Sequence, residues 1–275
     1  MITFFTIPKP FDGSIELIQK NAIISWTKLH PDCEIILFGD EKGTAEISKE
    51  LELLHVPTIE LNKYGTPVIS DVFQKAQNLA SNENLCYVNS DIIFLNDFLE
   101  SALIIIQFDR FLMVGQRWDI NFNEKILFEK GWEDTLKKIV NTTGTLHPPS
   151  GMDYFLFRKW DITNIPPFIV GRPYWDQWMI GNALKNQFRV IDATSCIMAI
   201  HQNHDYNHVI ESTGKRWEGP EADYNISLLK NDFNLGNIYN SNWILTNGKL
   251  KRAPFIRQLK WNIYSKLIKI KHQVF

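Results

Sequence analysis

The chain has 275 residues, 44% of them hydrophobic and 13% aromatic, with a formal net charge of −2. That apolar content excludes a disordered chain, and the near-neutral balance excludes a general nucleic-acid binder, which concentrates positive charge over a whole domain. The charge is unevenly placed: from Lys249 onward there are eight Lys or Arg and no acid, which leaves −10 on residues 1–248.

Ile2–Ile7 reads as a strand, and Ile15, Ile18, Ala22, Ile23, Trp26 and Leu29 recur at helical spacing over 14–29. Glu34–Phe38 is a second strand closed by Gly39-Asp40, followed by a short helix near 44–52 and an extended piece at Val56–Leu61. Thr66-Pro67 predicts the start of a third helix, with Thr as N-cap, Pro at the first helical position, and a stripe of Ile69, Val72, Phe73, Ala76 and Leu79. Leu85–Val88 is almost continuously apolar, as in a parallel strand covered on both faces. This βαβαβ progression predicts an α/β fold with a doubly wound sheet, whose ligand sits beyond the carboxyl ends of the strands.

The second half predicts strands at Phe111–Gly115, Tyr154–Phe157, Phe188–Ile191 and Ser195–Ile200, and helices around 122–140 and 175–186. A Pro-rich loop runs through His147-Pro148-Pro149, and Asn247-Gly248 suits the type I′ turn of a hairpin. No Pro/Gly/Ser-rich linker divides the chain, so the expected organisation is one domain over 1–248, with halves 1–95 and 96–248, and a basic tail over 249–275. Cys33, Cys86 and Cys196 lie far apart in apolar runs and read as reduced, buried thiols. The N-terminus has no basic segment before an apolar stretch, and no apolar run approaches 18 residues, so a cytoplasmic location is expected.

Three segments carry the chemistry. In the first, the buried strand ends in Asn89-Ser90-Asp91, which puts two oxygen-bearing side chains on the same side of the chain at the sheet edge. Such a pair suits Mg²⁺ or Mn²⁺ bound to a diphosphate, since these cations leave several positions to phosphate and water. In the second, His201 closes an apolar run, and a neutral imidazole suits Mn²⁺. In the third, Asp176 sits between Trp175 and Trp178 at a helix start, where the rings can stack on sugars and partial desolvation raises the carboxylate toward a useful base.

Together these segments resemble the GT-A fold nucleotide-sugar glycosyltransferases, over roughly residues 1–205. Asn89-Ser90-Asp91 is similar to a variant of that family's DXD motif, Trp175-Asp176 to its xED motif, and His201 to its C-terminal metal-binding His. The resemblance implies a GT-A-like mixed sheet, with a Rossmann-like nucleotide-binding half and an acceptor-side half. It implies Asp40 at the nucleoside, Asp71 at the donor, and Asp91 and His201 in the metal shell, with Asn89 there or on donor hydroxyls. Asn89 departs from the motif's usual first Asp. In inverting members of the family the residue matching Asp176 deprotonates the acceptor hydroxyl. Arg117 would assist the departing diphosphate, and Ser150–Arg158 resembles the acceptor-side loop, where Gly151 allows close approach of a sugar and Asp153 is the second candidate base.

The expected activity is transfer of a sugar from a nucleoside-diphosphate sugar, UDP-sugar favoured, to a hydroxyl of a glycan or lipid-linked glycan, with Mn²⁺ or Mg²⁺ as cofactor. The spacing His201-x2-His204-x3-His208 with Asp205 also fits zinc, but other donors are scattered. His204, Asp205, Tyr206 and His208 are therefore read as a polar loop closing over the donor, with His204 touching substrate. Ile256, Leu259, Ile263, Leu267 and Ile270 give the basic tail an amphipathic helical pattern, which suits a peripheral membrane surface or packing on another subunit. Two alternatives stand beside this reading. A sugar nucleotidyltransferase is disfavoured by the single glycine in Thr6–Gly13, and a non-catalytic glycan-binding protein on the same fold is suggested by Asn89 and the nine tryptophans.

Overall fold

The computed structural model describes residues 1–204, 218–229, 235–254 and 257. The first half runs β1 (Ile2–Thr6), α1 (Gly13–Thr27), β2 (Glu34–Phe38), α2 (Thr44–Glu50), β3 (Leu54–Val56), α3 (Ile69–Leu79) and β4 (Asn84–Val88). Its strands pair in parallel in the order β3-β2-β1-β4. Every residue of β1 and β4 is buried, as in strands covered on both faces. Because side chains alternate along a strand, neighbours serve opposite faces. Phe4 stacks on Trp26 of α1 with ring centroids 6.0 Å apart, whereas Phe5 meets Phe73 of α3 edge-on at 5.0 Å.

The second half continues with β5 (Ile92–Ile93), α4 (Asn96–Ile105), β6 (Phe111–Val114), β7 (Arg117–Ile120), α5 (Trp132–Thr143), β8 (Thr145–Leu146) and β9 (Tyr154–Arg158). After these come α6 (Trp175–Lys185), β10 (Arg189–Asp192), β11 (Ala199–Gln202), α7 (Pro220–Leu229), β12 (Trp243–Thr246) and β13 (Lys249–Arg252). Strand β9 enters the main sheet antiparallel to both β4 and β6, so the nine-stranded sheet is mixed, in the order β13-β12-β10-β6-β9-β4-β1-β2-β3. Helices α1 and α4 cover one face and α3 and α6 the other, each over its own apolar cluster. A second sheet, β5-β11-β7-β8, lies where the chain leaves β4, and it carries much of the candidate site.

The hairpin expected at Asn247-Gly248 forms, with φ of 48° and 67° at its two central residues, as a type I′ turn requires. Its second strand is β13, so the main sheet continues to Arg252 and the boundary expected after 248 falls inside the hairpin. Three element boundaries differ from expectation for local reasons. Helix α3 begins at Ile69 rather than at Thr66-Pro67, because Val68 is extended and its N–H bonds the Glu60 carbonyl at 2.9 Å. The helix expected over 122–140 starts only at Trp132, after Gly131 takes a φ of 87°, and before it Ile126 is anchored by its N–H to Asn21 Oδ1 at 3.0 Å. The strand expected from Ser195 starts at Ala199, because Cys196 and Ile197 turn back onto the Ala193 carbonyl. Helix α4 and strands β5, β7 and β8 have no counterpart in the sequence reading.

Asp97, in the first turn of α4, gives a prediction about stability. Its Oδ2 accepts the Met198 N–H at 3.1 Å, while its Oδ1 is buried with no hydrogen-bond partner among the described residues. Burial outweighs that hydrogen bond and the nearby Lys137, and pushes the carboxyl up to about 6. A carboxyl raised in the folded state contributes stability below its unfolded value that is lost as pH rises through about 6. Asp97→Asn is therefore expected to raise the unfolding free energy at pH 8 by on the order of 1–3 kcal/mol and to change it little at pH 4. Urea titrations at the two pH values check this, and an unchanged midpoint at pH 8 would refute it.

Candidate active site

The site forms where β4 gives way to β5. Asn89 N–H bonds the Asp153 carbonyl at 2.9 Å, which ends the ladder with β9 and turns the chain so that Asp91 stands at the carboxyl edge. Ser90 donates to Gln19 Oε1 at 2.7 Å, and the Gln19 amide is clamped to the backbone of Lys9 beyond β1. Strand β11 delivers the histidines: its register sets His201 beside Ile92 of β5 on one side and beside Asp119 of β7 on the other.

Asp91 Oδ2 lies 3.1 Å from His204 Nε2 and 3.6 Å from His201 Nε2. Asp91, His201 and His204 each offer one ligand atom, and these atoms all lie within 4.8 Å of one another. Asp91 Oδ1 is buried without a hydrogen-bond partner among the described residues. An unpartnered buried carboxylate oxygen is costly, and a cation is one ligand that would satisfy it. Lys9 Nζ stands 3.3 Å from His204 Nε2, adding positive charge at the end of β1. Burial opposes ionisation of Asp91, yet the His201 and His204 rings and Lys9 outweigh it and hold the carboxyl well below the usual range.

Behind this group lies a second layer, in which the sequence reading missed Asp119 and His147. Asp119 bridges two imidazoles, with Oδ1 at 3.1 Å from His201 Nδ1 and Oδ2 at 2.6 Å from His147 Nδ1. Arg117 Nε donates to Asp119 Oδ1 at 2.9 Å, and its guanidinium reaches Asp153 Oδ2 at 2.6 Å. The other oxygen of Asp153 accepts the Asn89 amide at 2.5 Å. The result is a continuous network from Asn89 through Asp153, Arg117 and Asp119 to His201. Burial disfavours the charged His201 ring, but Asp91 and Asp119 overcome it and lift the ring to about 9. Asp119 is held below the usual carboxylate range by the His201 and His147 hydrogen bonds and by Arg117, against burial.

The sequence-stated candidates fall into two groups. Asp91, His201, His204, Asn89, Arg117 and Asp153 come together. Arg117, only 7% exposed, pairs with Asp119 and Asp153, and both Asp153 oxygens are engaged, one by Arg117 and one by Asn89. Gly151 does allow a close approach, but by His147: a Cβ at that position would stand 2.3 Å from the imidazole Cδ2. Asp40 is exposed beyond the carboxyl end of β2. Asp71 ties down the segment before α3, accepting the Glu60 N–H at 2.7 Å and pairing with Lys75 at 2.8 Å. Asp176 lies in the first turn of α6, with Oδ1 accepting the Gln177 N–H at 2.8 Å. Trp175 is only 6% exposed, its ring packed on Tyr87 and Phe155, and Trp178 packs on Phe168; both rings serve the core beneath α6, which fixes the start of that helix over the end of β4. Asp205, Tyr206, His208 and the amphipathic pattern of the tail lie outside the described residues, Arg257 excepted. No helix among the described residues is long and apolar enough to cross a membrane.

No family model matches the chain, and no curated protein matches it. Solved structures similar to it include glucosyl-3-phosphoglycerate synthase from Mycobacterium tuberculosis in complex with Mg²⁺ and uridine diphosphate. That match has 11% identity and a TM-score of 0.47 and covers 83% of this chain and 78% of the other. Also similar is S. aureus TarS 1–349, at 16% identity and a TM-score of 0.42 over 74% of this chain and 58% of that one. TarS 1–349 in complex with UDP-GlcNAc matches at 18% identity and a TM-score of 0.34 over 47% of this chain. The chain spans 39% and 58% of these two TarS chains, less than two thirds of their length.

Proposed function

We propose that this protein is a metal-dependent glycosyltransferase that moves a sugar from a nucleoside-diphosphate sugar, UDP-sugar in the first instance, to a hydroxyl of a glycan or lipid-linked glycan. The observation that carries this reading is the unpartnered Asp91 Oδ1 beside two imidazoles at the carboxyl end of β4. One carboxylate and two imidazoles fit Mn²⁺ better than Mg²⁺, which prefers oxygen, and three protein donors leave positions for a diphosphate. When bound, the cation would supply the positive charge that offsets charge developing on the departing nucleoside diphosphate. Asp91, His201 and His204 would hold it, and Lys9 places a further cation beside them. Asp119 keeps the His201 ring oriented, with Nδ1 toward Asp119 and Nε2 toward Asp91. Asp40 at the end of β2 is assigned to the nucleoside, and Asp176 is assigned the acceptor proton in an inverting transfer.

The test is thermal stabilisation by UDP-, GDP-, CMP- and dTDP-sugars with and without Mn²⁺. A cation-dependent shift with one donor supports the reading and names the donor; no shift with any of them would sink it. A second measurement addresses the supporting layer. Asp119→Asn removes the charge that orients His201 and is expected to weaken Mn²⁺ binding by about 10- to 100-fold while leaving the fold intact. Titration of free Mn²⁺ by electron paramagnetic resonance reads this directly, and an unchanged affinity would remove Asp119 from the site.

A further inference from the structure

A pocket of about 400 Å³ opens on the same edge of the sheet as Asp91, between the segment that leaves β3 and helix α7. Strand β3 is parallel to β2, and through β1 to β4, so the segment 57–68 emerges from the carboxyl edge. The opposite wall is made by Pro167 and Ile169, on the approach to α6, and by Pro220 and Tyr224 of α7. This space is separate from the Asp91 group, none of whose residues line it.

Its construction is specific. Glu221 is only 2% exposed, and its carboxylate accepts from Arg172 Nε at 2.8 Å and from Asn62 Nδ2 at 2.6 Å. Asn62 Oδ1 in turn accepts the N–H groups of Tyr64 and Thr66 at 2.8 and 3.0 Å. One buried carboxylate therefore fixes the loop that bears Tyr64 against the helix that bears Tyr224, three residues beyond Glu221. A bond needed only to fasten α7 would let the two tyrosines pack together or against the surface. Instead both line the open pocket and stay 43% and 42% exposed. Glu60 and Lys63, exposed at the rim, supply an acceptor and a donor, and Lys63 Nζ stands 5.0 Å from the Tyr64 ring centroid.

Two exposed aromatic rings with hydroxyl tips and a charged rim match the two sides of a pyranose: its C–H face packs on a ring, and its hydroxyls take hydrogen bonds around the edge. We infer that this pocket is a saccharide-binding subsite, which holds one sugar ring of a glycan substrate away from the unit that reacts. The identity of the ligand rests on the glycosyl-transfer reading; the pocket itself does not.

The experiment uses the full chain on an array of defined oligosaccharides, followed by calorimetric titration of the best binder. Wild type and Asp91→Ala are expected to bind the same oligosaccharides, and Tyr64→Ala/Tyr224→Ala to lose about tenfold or more in affinity with its melting temperature kept. Tyr64→Phe/Tyr224→Phe should recover most of the binding, because the rings remain. If the double alanine variant unfolds, Tyr224→Ala alone, on the exposed face of α7, reads the same quantity. Absence of any bound oligosaccharide, or equal affinity in the alanine variants, overturns the inference. Binding that depends on the tyrosines in a protein that no nucleotide sugar stabilises would leave this subsite standing and remove the transferase reading instead.

Discussion

Asp91→Ala is expected to abolish stabilisation by nucleotide sugar with divalent cation and to reduce transfer by about 10³-fold or more. The size follows from position. Asp91 is the only carboxylate of the three-residue group, and its Oδ1 has no other hydrogen-bond partner among the described residues. Removing it leaves two imidazoles, which suit transition metals but give a hard cation no anionic anchor. The same substitution should reshape stability against pH in the metal-free protein. His201 is raised to about 9 by Asp91 and Asp119 against burial. Its contribution to stability is therefore fully present below its unfolded value near 6.5 and is lost as pH rises through about 9. Without Asp91 the folded-state value falls, and the loss of stability moves to lower pH. Urea unfolding in chelator at pH 6, 8 and 10 measures this, and identical pH profiles for wild type and variant would show that Asp91 does not set the charge of His201. A wild-type response to nucleotide sugar that persists in Asp91→Ala would take the cation site away from β4.

Asp91 and His201 are legible in sequence because each is a polar residue just after a buried apolar run. Asp119 is not, because the imidazoles it pairs with, His147 and His201, arrive from far along the chain. Strand β7 spans only four residues, and its meaning comes from a register that sets Asp119 beside His201. Arg117 is named from sequence only as an aid to the departing diphosphate, and the fold shows it buried between Asp119 and Asp153. The same cause misplaces the start of α3. Thr66-Pro67 has the right chemistry for a helix start, but the Thr66 side chain bonds Glu221, more than 150 residues away. Gly151 carried a signal for close approach, and only the folded chain shows His147 against it. The βαβαβ half, by contrast, follows from short-range periodicity and adjacent parallel pairing, both of which a sequence displays directly.

Asp176→Asn is expected to lower kcat by about 10²- to 10⁴-fold with little change in donor or cation binding, if the acceptor hydroxyl is deprotonated there. The two carboxylates named from sequence differ in their surroundings. Asp153 is 6% exposed, bonded to Arg117 through one oxygen and to Asn89 through the other, so it holds charge in place. Asp176 stands in the first turn of α6, at a helix end whose position is set by Trp175 wedged against Tyr87 and Phe155. Tyr87 lies two residues before Asn89 in the chain, so the same packing that buries the tryptophan brings the first turn of α6 to the end of β4. A carboxylate that acts only as base should leave the thermal shift with nucleotide sugar intact when amidated, and this separates it from Asp91. If Asp176→Asn loses donor stabilisation as well as turnover, Asp176 contacts the donor. If turnover is unaffected, the transfer needs no base at this position, which points to a retaining reaction; the configuration of the product, read by NMR at the anomeric proton, then decides the stereochemistry independently.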